Sequence, residues 1–375
     1  MRVALISPLF ESVPPRFYGG TERVVQSLSQ GLTDSGHDVT VFASGDSRVD
    51  CQLVPVIDEA LRLTKKPVQD PLALNLKMLG QVAQMADEFD VIHNHHDYWM
   101  LPLSEMSDTP FLSTTHGRMD LQDSQKAFRA FPNANYVSIS DNQRKPMPDL
   151  KWLRTIHHGM NIDHLKFREK SGEYLAFLGR ITVEKRPEYA IEIAKKSGMP
   201  LKIAAKIEGP ESQAYYDAKI KPHVDGKFIE YVGEINESEK SDFLGNAHAM
   251  VFPIDWPEPF GLVIIESLAC GTPVLARPLG ATPELTRDGV TGYCSSDLGE
   301  LARLVKDVSK IDRKGCRRWV EERFSLARMT EEYIHVYQHL ADFAAVRSRT
   351  AKSASPHRHR RDILHPLERT FNRNS

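Results

Sequence analysis

"MRVALISPLFESVPPRFYGGTERVVQSLSQGLTDSGHDVTVFAS", residues 1–44, reads as strand, loop, helix, strand. "RVALIS" is a short apolar run, broken at Pro8 too soon to serve as a signal peptide. In the segment that follows the loop, Val24, Val25, Leu28 and Leu32 fall at helical spacing, and Gly36 suits the turn that ends the helix. "HDVTVFAS" is the next strand. Two buried strands joined by a helix form a βαβ unit, which implies a parallel, doubly wound sheet.

The alternation continues through "DVIHNHH" (90–96), "PFLSTTHG" (110–117) and "YVSISD" (136–141). A second series opens at "EYLAFLGR" (173–180). It runs through a helix near 186–198, then "LKIAAKI", "IEYVGEI", "AMVFPI" and "TPVLAR". Between the series lies "RTIHHGMNIDHLKFREKSG", polar and without a clear period, so the boundary falls near residue 168. The 375 residues suffice for two such domains, each with its own core. The expected fold class is therefore α/β, with two Rossmann-like domains whose strand ends open on one cleft. That arrangement suits a two-substrate enzyme.

Composition narrows the function. With 41% apolar and 26% charged residues the chain has the balance of a soluble globular protein, and a formal net charge of −2 gives no reason to expect a nucleic-acid partner. Residues 346–375 differ: eight Lys or Arg stand against Asp362 and Glu368, and Pro356 and Pro366 interrupt the run. This segment reads as a disordered basic tail that is solvated or makes weak peripheral contact with an anionic membrane. The four cysteines form no CxxC pair, which fits reduced thiols and a cytoplasmic location, with the inner face of the cell membrane as the place a basic tail could touch. No 18-residue apolar stretch is present.

Gly19 and Gly20 sit after the first strand and directly before a helix, where backbone N–H groups approach an anion closely; a plain turn is the alternative. Neither a G-x-G-x-x-G nor a P-loop pattern occurs, so hydride transfer and P-loop hydrolysis both lose support. Arg180 and Lys185, in "LGRITVEKRP", leave a strand end within one loop and suit a diphosphate, Arg as a fork and Lys as a point charge. In "WPEPFGLVIIESLACGTPVLA" (256–276), Glu258 stands in a Pro-flanked loop and Glu266 inside an apolar helix. A buried carboxylate needs partners. Glu266 could accept from vicinal hydroxyls such as a ribose offers, and Glu258 from those of a hexose. Phe260, Gly261 and Leu262 open the helix with free N–H groups. Paired carboxylates also suggest glycoside hydrolysis, but that leaves the two cations without a purpose.

Three stretches, "YGGTERVVQSLSQGLTDSGHDVTVF", "FLGRITVEKRPEYAI" and "PEPFGLVIIESLACGTPVLARPLGATPELTRDGVTGY", resemble the retaining GT-B glycosyltransferases of family 4, the third carrying that family's E-x7-E signature between Glu258 and Glu266. The resemblance implies hexosyl transfer from a nucleotide diphosphate sugar to a hydroxyl acceptor with no other cofactor. Arg180 and Lys185 would hold the diphosphate and Glu266 the ribose. Glu258 with the amides of 260–262 would hold the sugar, and the Gly19-Gly20 loop would face the phosphates. It implies an acceptor-side domain at 1–168, a nucleotide-sugar domain at 169–325 and a helix at 326–345 crossing back onto the first domain.

The chain departs from the family at "IAAKIEGP", where Ala205 and Lys206 replace a Gly-rich turn, and in the linker "IHHGMNID". His93, His95 and His96 are clustered, but their spacing and the lack of a DxD motif argue against a metal. By resemblance His116 supports the sugar during transfer; the plainer reading is a satisfied core histidine. A phosphorylase or an NDP-sugar epimerase on the same fold, or a sugar-binding protein with a decayed site, are the rival functions.

Overall fold

The computed structural model describes residues 1–16, 19–64 and 68–353. Seven strands make the first sheet: β1 (Arg2–Ile6), β2 (Asp38–Ser44), β3 (Gln52–Ile57), β4 (Val91–Asn94), β5 (Phe111–Thr114), β6 (Asn135–Ser138) and β7 (Trp152–Thr155). Six make the second: β8 (Leu175–Arg180), β9 (Leu201–Lys206), β10 (Ile229–Gly233), β11 (Ala249–Phe252), β12 (Val274–Ala276) and β13 (Gly292–Cys294). The strand orders are β3-β2-β1-β4-β5-β6-β7 and β10-β9-β8-β11-β12-β13, with every ladder parallel. Each order reverses direction once, between β1 and β4 and between β8 and β11, and such points are where open α/β sheets bind ligands.

Alternation along a strand divides each sheet between two cores. Val3 and Leu5 of β1 enter one cluster, Ala4 and Ile6 the opposite one. In β8, Leu175 and Phe177 point one way and Ala176 the other. Both faces are buried, which is why these strands read as continuous apolar runs.

The first helix (Gly20–Asp34) and the final helix (Leu326–Ser353) share the core that holds Val3 and Leu5. Met329, Tyr333, Val336, Tyr337 and Leu340 line one stripe of the final helix and pack there beside Val24, Val25, Leu28 and Leu32. The chain therefore leaves the second sheet and returns to the first. The two helices meet closely at Gly31, where an added Cβ would fall 2.1 Å from Thr330 Oγ1. The final helix runs on past residue 345 into the basic segment read as disordered. No Gly or Pro occurs between 326 and 355, and Ala344, Ala345, Arg347 and Ala351 are good helix formers. The remainder of that tail, 354–375, lies outside the described residues. Among the described residues, no helix is long and apolar enough to cross a membrane.

Candidate active site

The carboxyl ends of the two sheets face each other across a cleft of about 350 Å³. Its walls hold all ten residues singled out from the sequence: Gly19, Gly20, His116, Arg180, Lys185, Glu258, Phe260, Gly261, Leu262 and Glu266. They come from both sequence halves and from four segments, those at and after the ends of β1, β5, β8 and β11.

Gly19 caps the first helix without a side-chain bond, and its neighbour explains the glycine: a Cβ there would lie 2.6 Å from Pro15 Cβ. Gly20 faces Leu262 across the cleft, where an added Cβ would lie 3.8 Å from Leu262 Cδ1. Gly261, at φ 106°, is the N-cap of the cleft helix (Leu262–Ala269), a left-handed conformation that favours glycine. The helix is therefore entered with its first N–H groups free of any side-chain cap.

Lys185 and Glu258 form an ion pair, and Trp256 Nε1 donates to the same carboxylate oxygen at 2.9 Å. The Lys185 ammonium also lies 5.5 Å and 5.2 Å from the ring centres of Phe252 and Trp256. Both partners are nearly buried, at 9% and 13% side-chain exposure, so neither is a casual surface charge. The Glu258 loop is held from behind. Ala281 N–H donates to Glu258 O at 2.8 Å, and the approach depends on Gly280, where a Cβ would fall 2.2 Å from that oxygen. Ser140 Oγ of the first domain donates to Pro259 O at 2.8 Å. Arg180 ends β8 beside Lys185, and Lys206 ends the neighbouring β9.

Glu266 is buried in the cleft helix, and here the structure corrects the sequence reading. Its charge does not wait for ribose hydroxyls. Lys240 Nζ, from the helix Glu237–Gly245, donates to Glu266 Oε1 at 2.6 Å. Lys240 also lies 3.0 Å from Glu237 Oε2, which Arg23 of the first helix reaches at 2.5 Å. A chain of four charges thus joins the two domains along the edge of the cleft. "NESEKSDF" reads in sequence as a solvated polar helix start, with its Asn236–Glu239 capping box, and nothing in its spacing marks Lys240.

His116 lies at the cleft with its imidazole stacked on His158, centroids 5.2 Å apart, and His158 meets Phe260 edge-on at 4.7 Å. Burial pushes the His116 ring down to about 3, and His93, His95 and His158 fall well below the usual histidine range for the same reason, so these rings are neutral at physiological pH. His96 points away, to Asn75 Oδ1 at 2.7 Å. Among the described residues, no group of three His, Cys, Asp or Glu is placed to hold a metal ion.

Two family models divide the chain between them. Glycosyltransferase Family 4 matches residues 18–161, and Glycosyl transferases group 1 matches 162–324. A glycogen synthase from Mycobacterium tuberculosis is 26% identical over 366 residues, spanning 82% of this chain and 86% of that protein. Sucrose-phosphate synthase from Thermosynechococcus elongatus superposes with a TM-score of 0.76 at 19% identity, over 92% of this chain and 99% of that one. Anabaena HepE in complex with UDP-glucose gives 0.70 at 17%, over 90% and 100%. Fold and family models together define a two-domain GT-B enzyme. The chain belongs to the group 1 glycosyltransferases and transfers a glycosyl group.

Proposed function

We propose that the protein is a retaining hexosyltransferase that takes its sugar from a nucleoside diphosphate and passes it to a hydroxyl acceptor. One observation carries this reading: the cleft joins two cations, Arg180 at the end of β8 and Lys185 in the loop after it, to two carboxylates on either side of an uncapped helix N-terminus. Diphosphate, sugar and ribose are the three chemistries such a set recognises in one ligand. HepE, of the same fold, is described in complex with UDP-glucose, which supports a nucleotide-sugar donor.

In this reading Arg180 and Lys185 take the diphosphate, Glu258 and the N–H groups of 260–262 take sugar hydroxyls, and Glu266 takes the ribose. The anomeric carbon loses its bond to the diphosphate oxygen and gains one to the acceptor oxygen on the same face. The departing phosphate oxygen accepts the acceptor's proton. Rate enhancement comes from positioning and from charge that matches the leaving group. Arg180 and Lys185 supply the positive charge that a divalent cation supplies in other transferases, so the reaction needs neither metal nor cofactor. A location in the cytoplasm, where nucleotide sugars are made, suits such a donor.

A screen of nucleotide sugars tests the reading, scored by free nucleoside diphosphate with and without a cell-envelope extract as acceptor. Acceptor-dependent release and an unchanged anomeric configuration by NMR are expected. Release that requires inorganic phosphate, or sugar interconversion without acceptor, would make the enzyme a phosphorylase or an epimerase.

A further inference from the structure

Behind His116 a chain of side chains runs from the cleft to the final helix. His116 Nε2 lies 2.9 Å from His95 Nδ1, and His95 Nε2 lies 3.2 Å from His93 Nδ1. His93 Nδ1 meets the Tyr337 hydroxyl at 2.7 Å, and His93 Nε2 meets Thr114 Oγ1 at 2.7 Å. Thr114 Oγ1 in turn lies 3.0 Å from the Tyr333 hydroxyl. His93, Tyr333 and Tyr337 are wholly buried and His95 nearly so.

Each neutral imidazole has one N–H and one bare nitrogen, so a proton placed at one end of the chain fixes every ring along it. Two arrangements are open. In the first, Tyr337 O–H donates to His93 Nδ1. His95 Nε2 must then carry a hydrogen, since two bare nitrogens would otherwise face each other. His95 Nδ1 is left bare, so His116 Nε2 is the N–H and His116 Nδ1 is the acceptor. In the second, the hydrogen sits on His93 Nδ1 and must serve both Tyr337 and His95. Tyr337, wholly buried and hydrogen-bonded among the described residues through His93 Nδ1, then keeps no acceptor for its proton, and His116 Nδ1 becomes a donor. Both arrangements put two partners on His93 Nδ1; in the first its one lone pair receives two protons, and no donor is left without an acceptor. The second shares one proton between two acceptors and strands a phenol, the more costly defect.

We propose that Tyr337, through His93 and His95, is a positioning residue that sets the tautomer of His116. The ring then presents a bare Nδ1 to the cleft and accepts a hydrogen bond from a hydroxyl of the bound sugar. The proposal rests on the proposed function only for the identity of that hydroxyl. The tautomer itself is a property of the empty protein. A residue on the helix that follows the nucleotide-side domain thereby sets a proton in the acceptor-side wall.

The test is long-range proton–nitrogen NMR of full-length protein labelled at histidine nitrogens, with His116 assigned by the loss of its signals in His116→Gln. A pyrrole-type Nε2 and a pyridine-type Nδ1 at His116 are expected. Tyr337→Phe, which keeps the ring and the packing, should shift both His116 nitrogens toward averaged values. It should also lower kcat about tenfold or more with little change in donor KM. His95→Gln serves as a second probe, and it too should remove the pyrrole-type signature. A protonated Nδ1 in the wild type, or Tyr337→Phe and His95→Gln proteins whose His116 signals do not move, would overturn the proposal. Should the signature be as expected in a protein that turns over no nucleotide sugar, the functional reading fails and the tautomer assignment stands.

Discussion

Lys240 Nζ lies 2.6 Å from Glu266 Oε1, with both side chains nearly buried, at 12% and 5% exposure. The carboxylate that stands inside an apolar helix is therefore paired before any ligand arrives. Donor hydroxyls would join or displace an ammonium already in place.

Glu266→Gln and Lys240→Met should accordingly differ. Glu266→Gln leaves Lys240 its second partner, Glu237 at 3.0 Å, so a modest loss of about 1–2 kcal/mol is expected in the empty protein. Lys240→Met strands a buried carboxylate and should cost about 3–5 kcal/mol. Denaturant melts of both variants read the difference, and equal losses would mean that the pair is not the unit that holds the charge.

Arg180→Ala and Lys185→Ala should each lower kcat by about 10²–10³, by analogy with the loss of a donor aimed at developing negative charge. The ion pair adds a distinction: Lys185→Ala also unties Glu258, leaving it only the Trp256 N–H, so sugar-dependent KM should rise in that variant alone. Steady-state kinetics at varied donor decide it.

If Arg180 and Lys185 hold the diphosphate as proposed, dialysis against EDTA should leave turnover unchanged. Activity recovered only on adding Mg²⁺ or Mn²⁺ would remove them from that role.

Gly280 is a sharper probe of the Glu258 loop than Glu258 itself. It sits at φ 62°, and a Cβ would fall 2.2 Å from Glu258 O and 2.3 Å from Glu258 N. Gly280→Ala should displace the loop and destabilise the fold by at least about 1–3 kcal/mol. Turnover should fall further than the melting point suggests; an alanine protein with wild-type kinetics would show that the loop is not held there.

Stability should depend on pH through Glu22, in the first turn of the first helix. Burial raises its carboxyl to about 7, with the nearby Glu11 acting in the same direction. A carboxyl raised on folding costs nothing below its unfolded value near 4.5 and progressively more up to about 7, so this contribution falls as pH rises through that window. Glu22→Gln should melt a few degrees higher than wild type at pH 8 and at the same temperature at pH 4. A constant difference across the range would assign the effect to packing.

Much of this was legible in the sequence, for identifiable reasons. Strands buried on both faces read as apolar runs, and their alternation with helices dictates parallel sheets. Residues such as Arg180, Glu258 and Gly261 stand at strand ends or helix starts, where local spacing is informative. What was not legible depends on contacts between distant segments. Lys240 and Arg23 look like ordinary charges on polar helix faces, and only the packing of one domain against the other shows that they pair through Glu237. Gly280 acts on a loop some twenty residues away, and His158 reads as part of a featureless linker until it stacks on His116.

The proposed function stands on nucleoside diphosphate binding in this cleft through Arg180 and Lys185. Calorimetric titration of UDP, GDP and ADP into wild-type, Arg180→Ala and Lys185→Ala proteins tests it without knowledge of the acceptor. At least one of the three nucleotides is expected to bind the wild type, and each substitution to weaken it by about tenfold or more, a loss of ~1.4 kcal/mol. Wild-type affinity retained in both variants, or no binding of any of the three, would contradict it.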